Sequence, residues 1–158
     1  MEYTFSLDEI FEMAKQIEVN GAAFYRKAAE KTDKKEEKQF LLSLAAMEDT
    51  HKNTFAAMQA EFNKAAPLHS LDDPQGDAVL YLKAMADTKV FFKKEAPGSQ
   101  LNEILKSAIE AEKDSILFYL GMKEMIEDGD DKKRIDGIIR EEMGHITILS
   151  KEMTRISG

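Results

Sequence analysis

The stretch Glu48-Asp49-Thr50-His51 has a second copy in Glu142-Met143-Gly144-His145, with glutamate and histidine in the same frame. The chain holds only three histidines in 158 residues, so two in one frame is informative. In a helix, residues i and i+3 share a face, and each Glu and His can point at one common spot. A lone Glu-x-x-His is weak, since a given histidine here has roughly a one-in-nine chance of such a partner. The upstream residues strengthen it. Glu18 lies thirty residues before Glu48, and Glu112 lies thirty before Glu142. Phe24-Tyr25 follows Glu18 at the spacing at which Phe118-Tyr119 follows Glu112, so the pattern repeats at an offset of 94 residues. A joint coincidence of this kind is on the order of one in a thousand.

The spacing of thirty has a geometric meaning. Its midpoints, Asp33 and Glu127, fall at or beside expected turns. Residues equidistant from the turn of an antiparallel helical hairpin stand at the same height. Glu18 is therefore expected to face Glu48, and Glu112 to face Glu142. Packing two such hairpins together brings four carboxylates and two imidazoles into one layer.

Apolar residues at spacings of three and four support helices around these motifs. The first helix is expected from a Ser6–Glu9 capping box to Glu30, with Leu7, Ile10, Phe11, Ala14, Ile17, Gly21, Phe24, Tyr25 and Ala28 inward. Thr32-Asp33 is expected to cap a second helix reaching about Lys64, with Phe40, Leu41, Leu44, Ala45, Met47, Phe55 and Met58 inward. Pro67, Pro74 and Pro97 all fall in residues 66–99, together with Gly76 and Gly98. That stretch reads as a long crossover carrying a shorter helix over Asp77–Glu95, apolar on more than one side. A third long helix is expected from after Ser99 to about Glu127, a turn at Asp128-Gly129-Asp130, and a fourth helix over about 131–156. The fold class is all-α: a four-helix bundle of two antiparallel hairpins joined by a crossover, forming one domain over residues 1–158.

Composition removes several alternatives. With no cysteine there is no thiol nucleophile, disulfide scaffold, iron–sulfur cluster or four-thiolate metal site in these residues. Any metal must be held by oxygen and imidazole nitrogen. Thirty acidic residues against 22 basic give a net charge of −8, which disfavours nucleic acid as a partner and attracts small cations. No apolar run is long enough to span a membrane, and Met1-Glu2-Tyr3-Thr4-Phe5-Ser6 does not resemble a signal peptide, so a cytoplasmic location is expected.

The neighbours of the four glutamates are those of a core. Glu18 stands between Ala14 and Ala22; Glu48 has Leu44 and Ala45 one turn before it. Ala108 and Ile116 flank Glu112, while Ile138, Ile139 and Ile146 surround Glu142. Buried charge must be paired, protonated or bound to metal. Two divalent cations cancel four carboxylates, and a carboxylate-rich set with one histidine per ion suits iron or manganese better than the usual structural zinc site.

On these motifs the sequence resembles the ferritin-like di-iron carboxylate superfamily, and within it the rubrerythrin group, over essentially its whole length. The resemblance implies a ferritin-like bundle holding two iron ions, with manganese or zinc as possible substitutes. Glu18 and Glu112 would be terminal carboxylates, Glu48 and Glu142 would bridge, and His51 and His145 would each bind one iron. It further implies a di-iron oxidoreductase that reacts Fe(II) with hydrogen peroxide or dioxygen in protection against oxidative stress. Two features depart from the pattern. The group's rubredoxin domain needs four cysteines, and this sequence has none. Its additional glutamate, three residues after the third-helix ligand, is Ser115 here. A separate electron-donor protein is therefore expected, as is a small homo-oligomer, a dimer in the simplest case. The alternatives are an iron-binding ferroxidase for sequestration and a non-catalytic helical module with a vestigial metal site.

Around the expected ligands, Tyr25 and Tyr119 fit two roles equally well. They can donate a hydrogen bond to a liganding carboxylate, or serve as core aromatics with solvent-reaching hydroxyls. The methionines read as core filler. Asp49, Glu110, Asp114 and Glu141 lie near the ligands in sequence but off their helix face, and are expected to be surface charge. His69 has no glutamate partner and reads as a residue of a surface loop.

Overall fold

The computed structural model describes residues 7–65, 76–87 and 100–157. Ser6, His69, the three prolines and the part of the expected crossover helix beyond residue 87 lie outside the described residues. Within them the chain forms α1 (Leu7–Glu30), α2 (Lys35–Ala65), α3 (Asp77–Asp87), α4 (Leu101–Glu124) and α5 (Gly129–Ser157), with no strand. Four-residue connections fold α1 back along α2 and α4 back along α5, giving two antiparallel hairpins. These pack into a helical bundle, and α3 lies against α4. No helix among the described residues is long and apolar enough to cross a membrane.

The sequence repeat is also a repeat of burial. Each buried position of α5 has a buried counterpart in α2, offset by 94 residues: Ile135 with Leu41, Ile138 with Leu44, Ile139 with Ala45, Glu142 with Glu48, His145 with His51, Leu149 with Phe55. The inward stripe expected for α1 is buried throughout, and α4 repeats its pattern with Leu105, Ala108, Phe118, Tyr119 and Met122. Fully burying a large apolar side chain such as Phe11, Phe55 or Phe118 contributes about 1.5–3 kcal/mol each. That core encloses the polar layer and keeps water from it.

Helix ends differ in detail from the sequence reading. At α2 the backbone cap is Lys34, whose carbonyl accepts from Lys38 N, and not Thr32-Asp33. Thr32 Oγ1 instead accepts from Lys34 N and donates to Glu37 at 2.7 Å, tying the turn to the first helical turn. Helix α4 stops at Glu124, short of Glu127, because Met125 N and Ile126 N turn to carbonyls three residues back. Helix α5 starts early, at Gly129, because Asp128 Oδ1 accepts from Asp130 N (2.8 Å) and Asp131 N (3.0 Å).

One side chain expected to point inward does not. Met47 lies on the exposed face of α2, about 100° around the helix from buried Glu48. On α3, Leu80 and Tyr81 are exposed while Leu82 is buried, so this helix is apolar on more than one side, as expected. The Tyr81 ring packs against Gly121 of α4, where an added Cβ would collide with it, and its hydroxyl donates to Leu117 O at 2.6 Å. Glycine is required there by close approach. At Gly76 it is required by a φ of 74°, just before α3 begins.

Candidate metal centre

Each of the four long helices contributes to one buried layer. Glu18 comes from α1, Glu48 and His51 from α2, Glu112 from α4, and Glu142 and His145 from α5; none is more than 1% exposed. The i, i+3 spacing places each histidine over the same face as its glutamate, and the equal distances from the two turns set all four carboxylates at one height. The convergence expected from the repeat is present.

Donor atoms gather in two groups. Glu18, Glu48, His51 and Glu142 each offer one atom within 4.8 Å of the others, and so do Glu48, Glu112, Glu142 and His145. Glu48 and Glu142 belong to both. Each imidazole turns Nδ1 toward its group. His51 Nδ1 lies 2.9 Å from Glu142 Oε1, 3.5 Å from Glu18 and 3.7 Å from Glu48. His145 Nδ1 lies 3.2 Å from both Glu112 and Glu142, and 3.4 Å from Glu48. The two rings are 5.8 Å apart and nearly parallel, at 20°.

The tyrosines cross between hairpins. Tyr25 on α1 donates to Glu112 Oε1 at 2.7 Å, and Tyr119 on α4 donates to Glu18 Oε1 at 2.5 Å. Both are fully buried, so neither hydroxyl reaches solvent and the carboxylate-holding role is the one the structure shows. Burial first, and then the nearby carboxylates, raise both phenols well above their ordinary pKa, which keeps them protonated as donors.

The layer does not satisfy itself. Glu18 Oε2, Glu48 Oε1, Glu112 Oε2, Glu142 Oε2 and His145 Nε2 are buried without a hydrogen-bond partner. Buried polar atoms are rarely left so, and four carboxylate oxygens left so within one cluster of donors call for a ligand that accepts electron pairs. Without one, the layer must hold protons. Burial, then the charges of Glu18, Glu112 and Glu142, push Glu48 well above the usual carboxylate range. Burial with Glu112 and Glu18 does the same to Glu142. Burial lowers the His51 and His145 imidazoles, but hydrogen bonds to the surrounding carboxylates outweigh it; His51 ends well above its ordinary value and His145 is pushed up to about 12. Burial raises Glu112, yet hydrogen bonds from Glu142, His145 and Tyr25 hold it low. Groups of one kind driven in opposite directions within a few ångströms are a mark of functional sites. An oxygen-rich, imidazole-bearing, sulfur-free set of donors fits a pair of divalent cations.

Of the acids expected at the surface, Asp49 pairs with Arg26, Glu110 with Lys113 at 3.4 Å, and Asp114 is half-buried with its carboxyl raised by that burial. Glu141 is exposed as expected, but its carboxylate also accepts from His51 Nε2. The repeat conceals this contact, since the counterpart of Glu141 is Met47. Ser115 is buried and donates to Ala111 O at 2.9 Å, so no fifth acid enters the layer from α4 at that position.

Comparison with known proteins agrees with this architecture. No curated protein matches the chain significantly. A solved structure from Thermotoga maritima, described as a candidate ferritin-like diiron-carboxylate protein, is 27% identical and superposes with a TM-score of 0.67, each chain covered over 100% of its length. The rubrerythrin family model matches residues 9–153. With that match spanning nearly all of the sequence, the chain belongs to the rubrerythrin family.

Proposed function

We propose that this protein is a di-iron oxidoreductase that reduces hydrogen peroxide, or alternatively dioxygen, in defence against oxidative damage. The observation that carries the reading is the set of four buried, unpartnered carboxylate oxygens, one from each glutamate of two overlapping groups of ligands. Glu18 and His51 would hold one ion, Glu112 and His145 the other, with Glu48 and Glu142 held in common. A bound ferrous pair supplies two electrons, enough to reduce one peroxide to two waters when two protons are also delivered. A separate electron-donor protein restores them.

The chain's own residues set the conditions for that chemistry. Tyr25 and Tyr119 fix one oxygen each of Glu112 and Glu18 and leave the second oxygen of each free to bind. Carboxylates pinned in this way hold the ligand geometry without reorganising. The surrounding Phe, Leu and Ile side chains keep bulk water out. The charge of the four carboxylates matches that of two divalent ions, the neutral imidazoles adding none.

Anaerobic addition of Fe(II), followed by single-turnover reaction with peroxide and with dioxygen, tests the proposal. The expected result is uptake of two irons per chain and faster oxidation by peroxide. Uptake far beyond two irons per chain by a large hollow assembly would replace it with iron sequestration. Normal folding with no metal uptake would leave only a helical module.

A further inference from the structure

The two halves of the ligand layer are not equivalent, and the difference lies in what holds the histidines. His51 is bonded at both ring nitrogens. Nδ1 faces Glu142, Glu18 and Glu48, while Nε2 donates to the carboxylate of Glu141, an exposed side chain reaching over from α5. His145 presents Nδ1 to Glu112, Glu142 and Glu48 in the same manner, but its Nε2 is buried without a partner. The 94-residue repeat explains the asymmetry. The residue before Glu142 is Glu141, whereas the residue before Glu48 is Met47, which has no oxygen to offer.

We propose that Glu141 is a positioning residue for His51, and that it makes the Glu18–His51 half of the centre the tighter of two unequal metal positions. The inference rests on the di-metal reading above. A carboxylate on the far nitrogen fixes the tautomer, so that Nε2 carries the proton and the Nδ1 lone pair is directed at the ion. It also stops rotation of the ring. Loss of such outer partners typically costs about 10–100-fold in metal affinity. His145 has no such partner on its far nitrogen among the described residues. The salt bridge would be worth little by itself, since Glu141 is exposed on one side; its effect is on the direction of the imidazole.

The test is a titration of the full chain with Mn(II), followed by the electron paramagnetic resonance of the free ion, on the parent, Glu141→Ala, Glu141→Gln and Glu110→Ala. Glu110→Ala removes an exposed acid of α4 that touches no member of the centre, and controls for net charge. Because Glu141 is exposed, the variants are expected to fold, which metal-free melting checks. The parent is expected to bind two ions in unequal steps. Glu141→Ala should weaken the tighter step about 10–100-fold, and Glu141→Gln, whose amide oxygen still accepts from Nε2, by less than tenfold. Glu110→Ala should change neither step. In the diamagnetic Zn(II)-loaded protein, the slowly exchanging Nε2 proton of His51 should be seen by NMR in the parent and lost in Glu141→Ala. Two ions bound by Glu141→Ala as tightly as by the parent would overturn the role of Glu141 and leave the di-metal centre standing. Equal losses in all three variants would overturn it too, assigning the effect to charge. Failure of the parent itself to bind two ions would overturn the di-metal reading and this inference together.

Discussion

Tyr25 on α1 and Glu112 on α4 are joined by a fully buried hydrogen bond of 2.7 Å that crosses from one helical hairpin to the other. Tyr119 and Glu18 make the reciprocal bond at 2.5 Å. Each hairpin thus steadies the carboxylate that the opposite hairpin brings to the centre.

Removing the Tyr119 hydroxyl leaves the buried Glu18 Oε1 with no donor, and removing that of Tyr25 leaves Glu112 Oε1 with His145 Nδ1 at 3.2 Å. Tyr25→Phe is expected to cost about 1–3 kcal/mol of metal-free stability and Tyr119→Phe a similar amount, because the ring still fills its place. Chemical denaturation of both variants without metal checks this. An unchanged midpoint in both would mean that neither bond holds its carboxylate.

A different balance governs Glu48 and Glu142. In the metal-free chain each is a buried acid beside like charges, pushed well above the usual carboxylate range. Glu48→Gln and Glu142→Gln should therefore leave the metal-free melting temperature unchanged or raise it. The same substitutions should abolish most of the rise in melting temperature that Mn(II) gives the parent by binding the folded state. Calorimetry with and without Mn(II) separates the two effects; an undiminished rise would remove both residues from the ligand set.

The proton balance sets a pH dependence for the metal-free protein. His51, His145, Glu48 and Glu142 all hold protons more tightly folded than unfolded, His145 up to about 12. Their contribution is complete below the unfolded values, 4.5 for glutamate and 6.5 for histidine, and is lost as pH rises toward the folded values. Glu112, held below 4.5, acts in the opposite sense and matters only in acid. Melting temperature without metal should consequently fall between about pH 6 and about pH 9. Metal reverses the trend: ions displace these protons, so Mn(II) binding should strengthen with pH and acidify a weakly buffered solution. A rising metal-free melting temperature over that range would contradict the assigned proton positions.

Two glycines distinguish close packing from open helix. Gly121→Ala drives a methyl into the ring of Tyr81 and should cost about 1–3 kcal/mol, offset by up to about 1 kcal/mol of helix propensity. Gly137, exposed in α5 with nothing near its Cβ position, should gain about 0.5–1 kcal/mol when changed to alanine. Opposite shifts in denaturation midpoint are expected. In a Tyr81→Ala background the penalty at Gly121 should vanish, which places its cause in the seat of α3.

What could be read from the sequence was whatever repeats or has helical period. The stripe of α1, the four long helices and the convergence of Glu18, Glu48, His51, Glu112, Glu142 and His145 follow from local spacing and from two equal distances to turns. The misreadings share one cause. Met47 turned outward because an apolar residue beside a stripe carries no mark of which side it takes. Asp128 capped α5 with a side chain that composition reads only as part of a turn. Glu141 joined the centre through the length of its side chain and the position of a neighbouring helix, neither of which is encoded in its own segment. Its lack of a repeat partner set it outside the pattern that found the rest.

The most direct measurement is anomalous diffraction at the iron edge from crystals of the Fe(II)-loaded protein. The account predicts two peaks within the buried layer, one beside Glu18 and His51, the other beside Glu112 and His145, with Glu48 and Glu142 reaching both. Iron found only on surface carboxylates, with the six residues unliganded in the core, would contradict it.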